Sequence, residues 1–110
     1  MSTISNAIAE GVLASGALTT IYTGVTGVKA RVLQATICNP TGAVVNATLA
    51  LNARSGGTDR TLLSAEPLAA GGTRVLYELL NAIIESGGLI KLQGNGLAYY
   101  ISGALVTERP

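Results

Sequence analysis

Alternating apolar and polar positions recur along most of the chain, in short segments divided by Gly, Pro, Asn and Ser. Alternation with a period of two is typical of half-buried strands, and the dividing residues are typical of turns. Strands are predicted at residues 17–23, 28–39, 44–52, 61–65, 74–79, 89–93 and 97–107. A total of about seven to eight short strands at this spacing indicates an all-β fold, and specifically an antiparallel β-sandwich.

Two turns between predicted strands have sequences that favour hairpins. Residues 39–42 contain Pro40 and Gly42, and residues 94–96 contain an Asn-Gly pair. We therefore predict that segment 28–39 pairs with 44–52, and that 89–93 pairs with 97–107. Segment 28–39 is not polar on either face, so we expect it to be covered on both sides.

Residues 75–85 fit two interpretations. Their apolar residues form a helical stripe, whereas the rhythm of the neighbouring segments favours a strand at 74–79 and a tight turn after it. We favour the strand. In segment 97–107, Tyr99 and Ile101 share one face and Tyr100 and Ser102 share the other, so we expect one of the two tyrosines in the core.

The first 16 residues differ from the rest, because their apolar residues are spaced three and four apart. This spacing fits one face of a short helix capped by Ser2 or Thr3. We therefore divide the chain into an N-terminal arm or short helix at residues 1–16 and a β-sandwich domain at residues 17–110. Such a helix is marginal alone, so we expect it to pack on another subunit or partner; the alternative is a disordered or locally packed terminus. The candidate protein-interface residues are Ile4, Ile8, Val12 and Leu13.

The composition indicates that apolar side chains remain on the surface. Hydrophobic residues make up 48% of the chain and charged residues only 12%, without any Phe or Trp. A domain of 110 residues cannot bury so many apolar side chains completely. Exposed apolar surface is typical of proteins that bind other proteins. The alternative is a very stable, alanine-rich monomer.

Several classes of chemistry are excluded by the residues available. The net charge of +1 and the scattered basic residues argue against nucleic-acid binding. The absence of His excludes a Ser-His-Asp triad, and Cys38, the only cysteine, cannot form a disulfide within the chain or one of the usual zinc sites. Cys38 lies in an apolar run and is predicted to be a buried, inert thiol.

No motif indicates a cofactor or a substrate. The carboxylates lie singly, and the glycines at 71–72 and 94–96 lack the spacing of phosphate-binding loops. We predict that the chain is not an enzyme, with no catalytic, metal or cofactor-binding residues and no small-molecule substrate. Residues 1–4 lack the basic segment of a secretory signal, and residues 11–28 are too polar for a membrane helix, so we expect no membrane partner.

The order of several segments resembles small virion proteins of tailed bacteriophages. The resemblance rests on residues 20–24 (TIYTG), 32–42, 44–51, 68–73 (LAAGGT), 87–90 (GGLI) and 100–103 (YISG), and it covers residues 15–106. Gly88 departs from the pattern, which often has an acidic residue there. No functional residue is carried over from the resemblance.

The resemblance implies a jelly-roll-like β-sandwich that acts as a structural part of a virion. It implies a capsid decoration (cement or stapling) protein that binds the outside of the phage head and stabilises capsomer contacts. The expected partners are the major capsid protein and copies of the chain itself, as a dimer or trimer. The protein would be made in the host cytoplasm and found on the capsid surface. The alternatives are a neck, head-fibre or tail-fibre module, or a sugar- or receptor-binding β-sandwich, although only four tyrosines could stack on sugars.

Overall fold

The structure, a computed structural model, describes the backbone of residues 2–107 and the side chains of residues 8–106. Nine strands form in this part of the chain, and one 3₁₀ turn, Tyr77–Leu79, follows the sixth. The strands are β1 (Ser2–Val12), β2 (Thr19–Thr23), β3 (Val28–Cys38), β4 (Val45–Asn52), β5 (Arg60–Leu68), β6 (Thr73–Val75), β7 (Ile83–Ile84), β8 (Leu89–Gln93) and β9 (Ala98–Thr107).

The strands form two antiparallel sheets packed face to face. Sheet A has the order β1-β9-β3-β6, and β7 also pairs with β3. Sheet B has the order β2-β8-β4-β5. The predicted fold class, an all-β antiparallel sandwich, is confirmed.

The connectivity is that of a jelly roll. The chain is folded back on itself, so that β4 pairs with β5, β3 with β6 and β7, β2 with β8, and β1 with β9. Successive pairs belong alternately to sheet B and sheet A. The count exceeds the predicted seven or eight strands because β1 was not predicted and two short strands, β6 and β7, replace one.

Aliphatic side chains from both sheets fill the space between them. Burial of this apolar surface is the main stabilising contribution to such a sandwich. The largest fully buried apolar side chains are Val32, Ile37, Leu49, Leu76, Leu79, Ile84, Ile90, Leu92, Leu97 and Ile101.

The predicted N-terminal helix is wrong, because residues 2–12 form the edge strand β1. This strand pairs with β9 from Ser2 opposite Thr107 to Val12 opposite Ala98. A bulge between Ala7 and Ala9 adds Ile8 to the strand and interrupts the period of two. The interruption explains why the apolar spacing fitted a helix. The backbone of β9 supplies a hydrogen-bonding ladder that an isolated short helix lacks.

Both predicted hairpins are also wrong. Strands β3 and β9 lie in sheet A, whereas β4 and β8 lie in sheet B, so the turns at 39–44 and 94–97 cross between the sheets. The buried Asn39 holds the first crossing. Its Nδ2 donates to the carbonyl oxygens of Ala43 (2.7 Å) and Leu68 (2.9 Å), and its Oδ1 accepts from the Thr41 amide (3.0 Å) and hydroxyl (2.6 Å).

The mixed pattern of segment 28–39 has a local cause. A bulge between Val32 and Gln34 shifts the buried face of β3, so that Val32 points inward before the bulge and Ala35 after it. Leu33 remains half exposed at the bulge, and the strand is therefore covered by the core on one side only. The bulges of β1 and β3 both lie beside Ser102 of β9.

Residues 75–85 form neither a helix nor the favoured strand. Strand β6 ends at Val75, one 3₁₀ turn follows, and Asn81 has a positive φ of 66° before β7 begins. The irregular backbone buries Leu76, Leu79 and Ile84, which explains the apolar stripe in the sequence.

Candidate functional site

The four candidate interface residues do not form one surface. Leu13 is only 3% exposed and belongs to the core, and Ile8 is partly buried against the core. Val12 is 63% exposed at the end of β1. The backbone of Ile4 pairs with Leu105, but its side chain lies outside the described residues. Of the four, Val12 alone is placed at the surface among the side chains that the structure describes.

Val12 belongs to a larger surface, which we call the outer face of sheet A. Residues opposite one another on antiparallel strands point to the same face of the sheet. One row across the sheet therefore consists of Val12, Ala98, Cys38 and Thr73, and the next of Glu10, Tyr100, Thr36 and Val75. Towards the other end, the face continues with Ser102, Gln34, Ala104, Arg31, Ile83, Val106 and Lys29.

A shallow hollow lies between these first two rows. Its volume is about 150 Å³. The strands β3 and β9 bring small side chains together there, while Tyr100 beside them is 42% exposed. A protruding side chain of a partner would fit in such a hollow, and tyrosine is a common anchor at protein interfaces. The lining residues are Thr36, Ile37, Cys38, Ala98, Tyr99 and Tyr100.

Cys38 lies in this hollow and is half-buried rather than buried. The prediction of a buried thiol is therefore wrong. The bulge in β3 is the cause, because it reverses the faces of the strand after Val32 and turns Cys38 outward.

The opposite end of the face combines apolar and cationic side chains. Arg31 lies between Ala104 of β9 and Ile83 of β7, and its Nη2 donates to Asn81 Oδ1 at 3.3 Å. Ile83 and the neighbouring Leu33 are each 50% exposed. Among the described side chains, the charges of this face are Glu10 at one end and Lys29 and Arg31 at the other, so its middle is uncharged.

The outer face of sheet B is polar and is contacted by two segments of the same chain. Its central row consists of Thr20, Lys91, Ala50 and Thr61. Ala50 points away from the core, yet it is only 3% exposed, whereas Thr20 and Thr61 at the two ends of the row are exposed.

Two segments make these covering contacts. Gln93 Nε2 donates to the carbonyl oxygen of Gly16 at 2.9 Å, which holds the β1–β2 connection over one end. Lys91 Nζ lies 2.6 Å from Asp59 Oδ2, and Asn52 Nδ2 donates to Gly57 O at 3.1 Å, which holds loop 53–59 over the other end. The hydrogen bond from Lys91 lowers the pKa of Asp59 below its ordinary value.

Three carboxylates among the described side chains, those of Asp59, Glu78 and Glu85, lie close to cations. Glu78 lies 2.7 Å from Arg74 and Glu85 lies 3.8 Å from Arg54. In the part of the chain that the structure describes, no three Cys, Asp or Glu residues come together as a metal site would require. Burial of the Tyr22 hydroxyl raises its pKa.

A second, polar cleft of about 300 Å³ lies at the end of the sandwich, between loops 24–27, 53–59 and 85–88. Arg54, Ser55, Glu85 and Ser86 line it, together with Gly27, Val28 and Lys29. No aromatic ring is among these residues, so the cleft lacks a platform for stacking a sugar.

The alternation of segment 97–107 was the signal that could have located the outer face of sheet A. It separates Tyr100, Ser102 and Ala104 from the inward Ile101, as the structure confirms. The partners Thr36, Val75 and Ile83 could not be found in this way, because their position depends on which strands pair.

Fold and site together define a small jelly-roll β-sandwich with one polar sheet face, contacted by segments of the same chain, and one sheet face with exposed apolar side chains. No protein-family model matches the chain, and neither the curated proteins nor the solved structures contain a match to it. Across residues 2–107, no helix has the length and apolar character needed to cross a membrane.

Proposed function

We propose that this protein is a structural virion protein, a decoration protein that binds the outside of a phage head through the outer face of sheet A. The observation that carries the proposal is the contrast between the two faces: the chain covers sheet B with its own polar contacts and leaves Val12, Tyr100 and Ile83 of sheet A exposed. The resemblance to phage virion proteins and the jelly-roll connectivity support the choice of a capsid as partner.

The size of the face supports a protein partner. Three strands of 10 or 11 residues and the five residues of β6 and β7, at about 3.4 Å per residue and about 4.8 Å between strands, make a surface of roughly 600 Å². Specific interfaces bury about 800 Å² on each partner, so this face has roughly three quarters of the usual size. Many copies on one closed lattice would add their modest individual affinities, so that each contact need not be strong.

The composition of the face supports the same function. An uncharged centre can be desolvated at low cost, and Tyr100 beside a hollow of small side chains offers a hot spot for a matching partner. The charges lie at the two ends, where they would fix the orientation of the partner rather than oppose burial.

The number of copies per particle separates decoration from the alternatives. Hundreds of copies in fixed ratio to the major capsid protein in purified virus particles are expected for a decoration protein. A dozen copies would instead indicate a neck, head-fibre or tail-fibre module. Absence from the particles would contradict a virion function altogether and favour a free sugar- or receptor-binding module.

A matched pair of variants tests the face itself. Tyr100→Lys adds a charge at the hollow and is expected to weaken binding to purified heads at least a hundredfold in a co-sedimentation assay. Thr61→Lys adds the same charge to an exposed position of sheet B and should bind like the unmodified protein. Equal binding by both variants would exclude the outer face of sheet A as the contact.

A further inference from the structure

The open edges of the two sheets differ in how they are protected against pairing with another strand. Edge strands carry unpaired backbone N–H and C=O groups, and proteins protect them with shortness, bulges, Pro or charges. Among the described residues, the edges of sheet A are β1 and, on the other side, β6 with β7; the edges of sheet B are β2 and β5.

Every edge except β1 shows such protection. Strands β6 and β7 have three and two residues, and β2 has five with a register shift between Thr20 and Tyr22. Strand β5 is longer, but it contains Pro67, two register shifts against β4, and Ala65 in the left-handed region with a φ of 47°. A second molecule could not pair over a long stretch of these edges.

Strand β1 lacks these features over most of its length. It has 11 residues, and it pairs with β9 without a register shift from Ser2 to Ala7. The sequence from Ser2 to Ala9 contains neither Pro nor a charged residue, and Glu10 is its first charge. Within residues 2–107 no strand pairs with the other side of β1.

We propose that β1 pairs antiparallel with β1 of a second copy of this chain, so that the two copies of sheet A join into one continuous sheet. The inference goes beyond the proposed function, because it concerns a contact between two copies of the chain and does not require the capsid contact. Pairing would satisfy the backbone groups of the one long, unprotected edge found within residues 2–107.

Charge and symmetry favour a second copy as the occupant. A two-fold axis, the commonest symmetry of oligomers, places the same strand on both sides and therefore gives every backbone group the same kind of partner. If the axis lies at the centre of residues 2–7, no charged residue faces its own copy. The two Glu10 residues would then be about 37 Å apart, well beyond the range of electrostatic interaction at physiological salt.

The area of the outer face gives a second reason. One face offers roughly 600 Å², less than the 800 Å² or so that a typical specific interface buries on each partner. Two faces joined through β1 offer roughly 1,200 Å² on one side of a continuous sheet. The dimer would thus present a surface large enough to hold a partner that a single copy would bind weakly.

The mass of the purified full chain tests the pairing. Sedimentation equilibrium should give a mass close to twice the 11.1 kDa of one chain, falling towards 11.1 kDa on dilution. A mass of one chain at all concentrations up to the millimolar range would overturn the proposal.

Two neighbouring proline variants, Ser5→Pro and Asn6→Pro, serve as each other's control. In an antiparallel edge strand one of two neighbouring N–H groups bonds to the partner strand and the other points to the open edge. One variant should therefore stay folded and become monomeric, while the other should lose stability. A folded variant that still has twice the chain mass would overturn the proposal.

Charge variants keep the test valid if both prolines unfold the protein. Ser5 lies opposite Ala104, on the outer face of sheet A, and close to the proposed two-fold axis. Ser5→Lys should therefore raise the dimer dissociation constant at least tenfold, and Ser64→Lys, at an exposed position of the protected edge β5, should leave it unchanged. An equal effect of the two lysines would overturn the pairing through β1. If the unmodified protein forms the dimer but does not bind purified heads, the proposed function is contradicted and the pairing through β1 is not.

Discussion

The outer faces of the two sheets differ in what lies over them. Segments of the same chain contact sheet B through the Gln93–Gly16 hydrogen bond and the Asp59–Lys91 ion pair, and the outward Ala50, between Lys91 and Thr61, is almost fully buried. Sheet A is open to solvent, although it carries more large apolar side chains, among them Tyr100 and Ile83.

In a monomer, the more apolar surface is usually the one that is buried, and the two sheets of this protein show the opposite arrangement. The polar contacts over sheet B hold loops in place. The exposed apolar side chains of sheet A, in contrast, contribute no hydrophobic stabilisation while they are in contact with water. The difference is understandable if sheet A meets a partner and sheet B faces the solvent. Paired mutations, one in each sheet or one on each face of a strand, show whether the two sheets differ in this way.

The largest effect is expected at Gly103, in the centre of sheet A. A methyl group there would overlap the carbonyl oxygen of Arg31 and lie 2.8 Å from Ile8 Cδ1. Since the backbones of β3 and β9 cannot separate without breaking their ladder, Gly103→Ala should lower the free energy of unfolding by at least about 4 kcal/mol. Gly16, over sheet B, has no atom within 4 Å of such a methyl group. Gly16→Ala should leave the urea midpoint unchanged; equal effects of the two would show that sheet A is not rigid at its centre.

The next effect separates the two faces of one strand. Ile101→Ala empties space in the core and should cost about 3 kcal/mol of unfolding free energy. Tyr100→Ala, at the adjacent position on the outer face, should cost less than about 1 kcal/mol while weakening head binding. Urea denaturation and co-sedimentation of both variants provide the measurements. A large loss of stability for Tyr100→Ala would mean that the open face belongs to the folding core and not to a binding surface.

Buried asparagines allow a third test, at the joint between the sheets and under the cover of sheet B. Asn39→Ala removes the four side-chain hydrogen bonds that hold the crossing from β3 to β4 and should cost about 2 kcal/mol. Asn52→Ala removes two, to Gly57 and Arg54, and should cost about 1 kcal/mol. Thermal unfolding of both variants gives the comparison. The reverse order would show that the cover of sheet B, rather than the crossing, holds the sandwich together.

Asn39 also shows why the sequence predicts the class of fold but not its connectivity. Alternation in segments such as 44–52 indicates a strand with one buried face, and several such strands were enough to predict a β-sandwich. It does not report which sheet the next strand joins. That choice depends on contacts such as those between Asn39 and Leu68, which are 29 positions apart, and a local turn signature at 39–42 carries no information about them.

Bulges account for the other errors. One extra residue at Ile8 changes a period of two into the spacing of a helix, and one extra residue in β3 turns Cys38 from the inner face to the outer face. The composition predicted exposed apolar surface, and it exists at Val12, Tyr100 and Ile83. Its location could not be predicted, because a surface made from four strands depends on their order and register.

The smallest effect concerns the ion pair over sheet B and depends on pH. The hydrogen bond from Lys91 lowers the pKa of Asp59 in the folded protein below its ordinary value of about 4. A lowered folded pKa stabilises the protein at pH values above the ordinary pKa, and this contribution is lost as the pH falls through the folded pKa. Asp59→Asn should therefore be slightly less stable than the unmodified protein at pH 7, and the two should become equally stable near pH 2.

Lys91→Gln provides the control for this last prediction. In its background Asp59→Asn should have a smaller effect at pH 7, because the ammonium group whose hydrogen bond is the largest cause of the lowered pKa is gone. Added salt should reduce the difference at pH 7, since the pair is exposed. If Asp59→Asn has the same effect at pH 2 as at pH 7, loop 53–59 is held by neutral hydrogen bonds such as that of Asn52. In that case the ion pair would not stabilise the contacts over sheet B. Sheet B would then differ from sheet A only by the neutral hydrogen bonds made over its outer face.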